Sequence, residues 1–318
     1  MGVIGMSNVV LKLVLKVVLI TALVLAAAFT VFSLHMAKTI SFPKGLTLEG
    51  EKQWAVSNGV WGDLEKYTTQ EYTVQGKDGY TLHCELVSND ETSSSNKYVI
   101  ISHGYTSNRY GAGKYVPIYI GLGYNCVIYD LRGHGENEKT VCTIGNYEAQ
   151  DLIKLIDDTY ERYGSDIYLG LHGESMGSST SLSALGYDPK VHFVVADCGF
   201  TNLYELIGTG FKSNHLGFAE PAVDLTLRLR YGWSMKDTSA IDALEGNTVP
   251  ICFIHGADDD FITPDNSERL KEKTEGYSEL HIVDHAGHAR SRAVLGKKAY
   301  ADIVRPFLEA VEESKKDQ

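Results

Sequence analysis

Six short apolar runs, at residues 98–102, 126–129, 167–171, 193–196, 251–254 and 280–283, recur along the chain. Between them lie longer stretches in which apolar residues return every three or four positions, as at 147–163 and 176–185, and another follows at 298–313. A run that is apolar at every position has no wet face, so it predicts a strand buried on both sides. The helical stretches then predict the layers that cover those sides. The alternation as a whole predicts an α/β chain, with a mostly parallel sheet flanked by helices. Ahead of it, residues 71–74 and 80–87 are β-rich, and Lys77-Asp78-Gly79 supplies the turn of a hairpin. Residues 89–96, rich in Ser, Asp and Asn, predict a loop.

Composition narrows the class. A hydrophobic fraction of 43% with 22% charged residues supports a sizeable core and argues against extended disorder. The formal net charge of −12, with no basic stripe to offset it, repels phosphate backbones, so no nucleic-acid partner is expected. The five cysteines lack any C-x-x-C spacing, which gives neither a zinc ribbon nor a dithiol redox site. Most sit in apolar segments and are expected to be small buried hydrophobes.

The N-terminus sets location. Residues 17–34 form an uncharged, largely apolar run, preceded by Lys12 and Lys16 and followed by polar sequence from His35. About 20 such residues span a bilayer as a helix. A core helix would show a polar face, which this run lacks. Two readings stand: a signal peptide cut after Ala28, where Ala26-Ala27-Ala28 fits the small-residue pattern, or a retained anchor. The anchor is preferred, because the apolar run continues through Phe29, Val31, Phe32 and Leu34. Lys12 and Lys16 put the N-terminus inside and the remaining chain outside, although Lys38 and Lys44 pull the other way. The expected division is an anchor segment over 1–37 and a globular domain over 38–318.

One interval breaks the strand–helix rhythm. The stretch between the runs at 193–196 and 251–254 is too long for one crossover, and it carries Leu203, Leu206, Phe211, Phe218, Leu225, Leu227 and Leu229 at near-helical spacing. A helical cap insertion over about 200–245 is expected.

The chemistry gathers at strand ends. Gly173-Glu174-Ser175-Met176-Gly177 is a G-x-S-x-G sequence between an apolar run and a helical stretch. A tight strand-to-helix turn there would lift the serine hydroxyl above the sheet, with small residues two positions either side to avoid a clash. The following helix would aim its free N–H groups at the same point, making the Met176 N–H one donor for an oxyanion. The loop Ser102-His103-Gly104-Tyr105-Thr106-Ser107 offers the Tyr105 N–H as the other, with His103 fixing the loop. A serine needs a base, and the base needs an orienting carboxylate. Downstream lie Asp258, Asp259 and Asp260 after one run, and His285 and His288 after the last, both at strand C-termini where α/β sheets bind ligands. A metal site from His281, His285, His288 and Asp284 is not expected, since their spacing matches no helical ligand face.

With these landmarks, and with His103-Gly104, Tyr129-Asp130-Leu131-Arg132-Gly133-His134-Gly135 and His255-Gly256, residues from about 72 to 311 resemble the α/β-hydrolase superfamily. The similarity is to the branch of bacterial esterases and of prolyl-oligopeptidase-like and monoglyceride-lipase-like serine hydrolases. The resemblance implies the α/β-hydrolase fold and a triad of Ser175, Asp259 and His288, choosing Asp259 over its neighbours and His288 over His285. It makes His134 a structural loop histidine. Asn137 and Thr263 depart from the pattern, which more often has serine and proline there; the second puts the acid loop's shape in question.

The expectation is therefore a cell-membrane serine hydrolase, without a cofactor, that cleaves small-molecule or lipid carboxylic esters through an acyl-enzyme. The alternatives are a serine peptidase of the prolyl-oligopeptidase-like type and, from another class, a non-catalytic binding protein on a hydrolase scaffold.

Overall fold

The computed structural model describes residues 8–316. The chain enters through α1 (Asn8–Ser41) and α2 (Leu48–Ser57), then forms the hairpin β1 (Thr68–Gln75) and β2 (Thr81–Ser88). Asp78 and Gly79 take φ of 57° and 73° at its turn, the left-handed backbone that the K-D-G sequence anticipates. The α/β unit follows: β3 (Lys97–Ser102), α3 (Arg109–Ala112), α4 (Val116–Ile120), β4 (Asn125–Tyr129), α5 (Asn146–Tyr163), β5 (Tyr168–Glu174), α6 (Met176–Ala184) and β6 (Val194–Asp197). Then come α7 (Leu203–Ser213), α8 (Glu220–Tyr231), α9 (Ala240–Ala243), β7 (Ile251–Gly256), α10 (Asp265–Lys273), β8 (Ser278–Val283) and α11 (Ser291–Lys316), broken at Gly296.

The eight strands form one sheet in the order β1-β2-β4-β3-β5-β6-β7-β8. β2 is antiparallel to β1 and β4, and every pair from β4 to β8 is parallel. Side chains alternate between two apolar layers, as strand pleating requires. Ile100, Leu171, Ala196 and Phe253 face α5 and α6. Val99, Ile101, Val195 and Ile254 face α4 and α11, against Tyr300, Val304 and Phe307. This two-sided burial is why the strands read as unbroken apolar runs. All five cysteines are buried and unpaired, four of them within these layers.

Two features were not evident in the sequence. α2 occupies what reads as a polar stretch; Thr47 caps it, its hydroxyl accepting from Gly50 N–H at 3.1 Å. α1 also runs through residue 37 without a break. It is long and apolar enough to cross a membrane, and its most apolar window makes no burying contact. Its last turns do: Ser33, Ala37, Ile40 and Ser41 are buried on one face. Trp233 Nε1 donates to Ser41 Oγ at 3.2 Å, and Phe42 meets Tyr231 edge-on.

Candidate active site

The chain turns from β5 into α6 at Ser175, whose φ of 55° and ψ of −118° lie outside the regions an L-residue prefers. Such a conformation costs on the order of 1–3 kcal/mol and persists only when the surroundings enforce it. Here the enforcement is local. A Cβ on Gly173 would lie 2.2 Å from Gly177 O, so the turn closes only because that position is bare, and one on Gly177 would lie 2.2 Å from Ser102 O, so α6 packs against β3 only because this one is bare too. Ser175 N–H donates to Asp197 O at 2.9 Å, which ties the turn to β6.

The strained turn aims Ser175 Oγ at His288 Nε2, 2.9 Å away. His288 Nδ1 lies 2.8 Å from Asp259 Oδ2. Asp259 Oδ1 accepts from Ile262 N–H at 2.9 Å and Phe261 N–H at 3.1 Å. Buried His255 stands 3.4 Å from Oδ2 while donating from Nε2 to Ile262 O at 2.7 Å. Burial alone would raise the Asp259 carboxyl, but the nearby His255 N–H and the hydrogen bonds from His288 and Ile262 outweigh it and hold it well below the ordinary carboxylate range. The group is thus an anion, and it accepts His288 Nδ1–H, leaving the Nε2 lone pair to Ser175.

The structure separates the residues the sequence left competing. Asp259 is buried, whereas Asp258 and Asp260 face solvent. His285 points outward with its side chain 92% exposed, nearest to Asp258 at 4.0 Å. His281 pairs with Glu279 at 2.9 Å. His281, His285 and His288 therefore serve three different partners. The departure at Thr263 is accommodated by Pro264, which precedes α10, and by a Thr263 hydroxyl contact with Asp265. Asn137 binds the Asp130 carbonyl at 2.6 Å and receives His83 N–H at 2.8 Å, joining β2 to the loop after β4.

The loop carrying Tyr105 is held by two buried histidines. His103 donates from Nδ1 to Gly104 O at 2.7 Å and accepts Leu131 N–H on Nε2 at 2.9 Å. His134 donates to Arg132 O at 2.8 Å and accepts Thr106 N–H at 3.3 Å. Burial lowers both to about 4, so both rings are neutral, as these acceptor roles require. A Cβ on Gly104 would sit 3.6 Å from Ser175 Cβ, so the loop passes directly over the serine. Among the described residues, neither Tyr105 N–H nor Met176 N–H has a protein acceptor.

Two cavities meet at Ser175 and Tyr105. One, of about 230 Å³, is walled by Ile40, Ile144, Met176, Leu206, Ile207 and Phe261, among others, and is almost wholly apolar. The other, of about 280 Å³, mixes apolar with charged side chains and lies under α2, against Glu51, Trp54, Lys114, Glu174 and Arg290. Lys114 pairs with Glu174 at 2.6 Å, and Tyr115 donates to the same carboxylate at 2.6 Å. Burial raises the Glu51 carboxyl, with Ser107 and Lys114 acting against it. Sequence reasoning missed Ile40, Glu51, Trp54 and Lys114. The Thr47 cap with Glu49 and Glu51 in the first turn was the one available sign of α2.

A mostly parallel sheet with an antiparallel leading hairpin, and a strained serine turn between β5 and α6, define an α/β hydrolase. The prolyl oligopeptidase family matches residues 114–314 of the 318, and the chain belongs to that family. An uncharacterized Bacillus subtilis (strain 168) protein, YqkD, is 28% identical over 307 residues, covering 94% of this chain and 99% of that one. The Pyrococcus furiosus esterase Pf2001 shares the fold with a TM-score of 0.63 and 21% identity, over 77% of this chain and 93% of its own. Acetyl xylan esterase 1 from Thermoanaerobacterium sp. aligns with a TM-score of 0.60 and 14% identity, over 87% of this chain and 98% of its own.

Proposed function

We propose that this protein is a membrane-anchored serine hydrolase that cleaves carboxylic esters, with the segment at about 200–245 as its cap. One observation carries the reading: a hydrogen-bonded chain from Ser175 through His288 to ionised Asp259 opens on an apolar cavity. In this reading His288 takes the Ser175 proton as Oγ attacks the ester carbonyl. The oxyanion is held by Tyr105 and Met176 N–H, and the imidazolium is stabilised by Asp259. Collapse expels the alcohol, which receives its proton from His288. Water, activated by the same histidine, then releases the acid. The acyl group fits the apolar cavity, and the alcohol side fits the one that carries charged side chains.

Family membership favours peptide hydrolysis as the second reading. An amino terminus would need an unpaired carboxylate beside Ser175. Glu174 is already neutralised by Lys114, burial raises the carboxyl of Glu51 and so disfavours its anion, and Arg290 stands at the same cavity, which favours the neutral alcohol of an ester. α1 holds the domain at the membrane, with Lys12 and Lys16 on the inner side and the domain outside.

A fluorophosphonate probe tests the mechanism. Labelling of the wild type and none of Ser175→Ala is expected, and equal labelling of both would remove Ser175 from its role. Turnover of p-nitrophenyl esters against aminoacyl anilides, measured side by side, separates the two substrate readings.

A further inference from the structure

The anchor and the domain do not meet end to end. The uncharged run at 17–34 rises about 27 Å as a helix, close to the ~30 Å hydrocarbon core. With that run in the core, Lys16 lies at one headgroup layer, and His35 and Lys38 at the other. Contact with the domain begins before that second layer. The Phe29 ring stacks on Phe218 with centroids 5.8 Å apart, and Phe29 sits five residues, about 7 Å, on the membrane side of Leu34. Phe218 is 70% exposed. From there α8 runs beside α1 in the same direction, because its last residue, Tyr231, meets Phe42 with centroids 5.4 Å apart. Leu225, 55% exposed, therefore falls near the headgroups, and exposed Arg228 and Arg230 fall beyond it, at the level of the phosphates. Exposed Phe218 and Leu225 lie below and Arg228 and Arg230 above; Lys212, beside Gly217, is long enough to reach up toward the headgroups, and exposed Leu229 lies between the two arginines, a mixture that suits a face resting at the bilayer boundary.

α1 also joins that level to the candidate site. Phe29, Phe32 and Met36 are half-buried against the core, and with Ile40 they recur at i, i+3, i+7 and i+11 on one face. The ridge rises about 16 Å and ends at Ile40, a wall of the apolar cavity. Tyr105 fixes this end, its hydroxyl donating to the Thr39 and Ile40 carbonyls at 3.2 Å each.

We propose that the cap rests in the lipid bilayer through Phe218 beside α1, and that the substrates are acyl esters drawn from the bilayer along the Phe29–Ile40 ridge. The second clause rests on the ester-hydrolase reading. An acyl chain moving along this ridge stays on apolar surface instead of crossing water.

Two measurements on the full chain in phosphatidylcholine vesicles test this. Phe218→Trp, read against the wild type for its native tryptophans, gains fluorescence that brominated phosphatidylcholine quenches; no gain overturns the membrane contact. Phe218→Asp lowers the ratio of 4-methylumbelliferyl oleate to dissolved 4-methylumbelliferyl butyrate turnover by about fivefold or more, since withdrawing one aromatic ring from lipid forfeits at least that much. An unchanged ratio overturns delivery along the ridge. A wild type that turns over neither ester defeats the hydrolase reading and the substrate clause with it, while the quenching result still decides the bilayer contact.

Discussion

Replacing Asp259 by Asn probes the candidate site at its least forgiving point. Oδ1 is held by Ile262 and Phe261 N–H at 2.9 and 3.1 Å, and Oδ2 receives His288 Nδ1 at 2.8 Å. Asparagine has the same shape, and the two backbone donors select its carbonyl oxygen for the Oδ1 position. Its NH2 then faces His288, which must turn a lone pair toward it and carry its proton on Nε2. That proton points at Ser175 and blocks the transfer the serine needs. The imidazolium formed in the reaction also loses a buried anion in direct contact. A tautomer error of this kind lowers kcat about 10⁴-fold, or roughly 5 kcal/mol of transition-state stabilisation. The assay is p-nitrophenyl butyrate turnover in detergent, with circular dichroism to check the fold. Asp258→Asn and Asp260→Asn, both at solvent-facing positions, should stay within roughly twofold of wild type, as surface changes do. Asp259→Asn retaining kcat within about tenfold of wild type, or either neighbour showing the large loss instead, would refute the reasoning.

Two further outcomes are expected. Asp197 lies fully buried beneath the serine turn and accepts from Tyr300 and Ser291. Burial, reinforced by Glu174, pushes its carboxyl up from 3.8 to about 6. Across that window the folded state binds more protons than the unfolded one, so Asp197 makes stability fall as pH rises through it, by about 3 kcal/mol. Denaturant midpoints measured across the window should decline less steeply in Asp197→Asn; an unchanged slope would remove Asp197 as a source. Asp151, also raised to about 6, keeps part of the decline. At the apolar cavity, Ile40→Trp fills space that an acyl chain would use. Each methylene excluded forfeits about 0.8 kcal/mol, roughly fourfold, so kcat/KM for p-nitrophenyl octanoate should fall against acetate. A constant octanoate-to-acetate ratio would exclude Ile40 from the acyl wall.

The central strands β3 to β7 were readable because each buries both faces, so their apolar signal needs no phase. The serine turn was readable because its bare positions mark it in the sequence: Gly173 is required by a contact within the turn itself, and Gly177 by the approach of β3 at Ser102. What escaped notice depends on distant partners. Lys114 reads as a surface lysine until β5 brings Glu174 to 2.6 Å. α2 leaves Trp54 and Val56 exposed, so its sequence lacks an amphipathic period, and Glu51 becomes a site residue only through the loop at Ser107. The last turns of α1 bury Ser33, Ala37, Ile40 and Ser41. Three of those four are small or polar, and hydropathy alone places the end of the apolar run at Leu34. The choice of Asp259 among three aspartates came from resemblance, and its physical basis is the pair of backbone donors that only the folded loop supplies.

The union of α1 with the domain has a bearing on where the chain can be shortened. Cleavage after Ala28 would discard the most lipophilic turns yet leave Phe29 to Ser41 attached, with Trp233 and Tyr105 still bonded to that remnant. A released chain and a tethered one would then keep the same Ile40 wall on the apolar cavity and differ only in their attachment to lipid. Trimming to residue 42, the first after the helix, would instead strip Thr39 and Ile40 from the cavity and unpin Tyr105. A soluble form for enzymology should therefore begin near Phe29, with the apolar surface this leaves managed by detergent or by substitution at Val31 and Leu34, which face away from the domain.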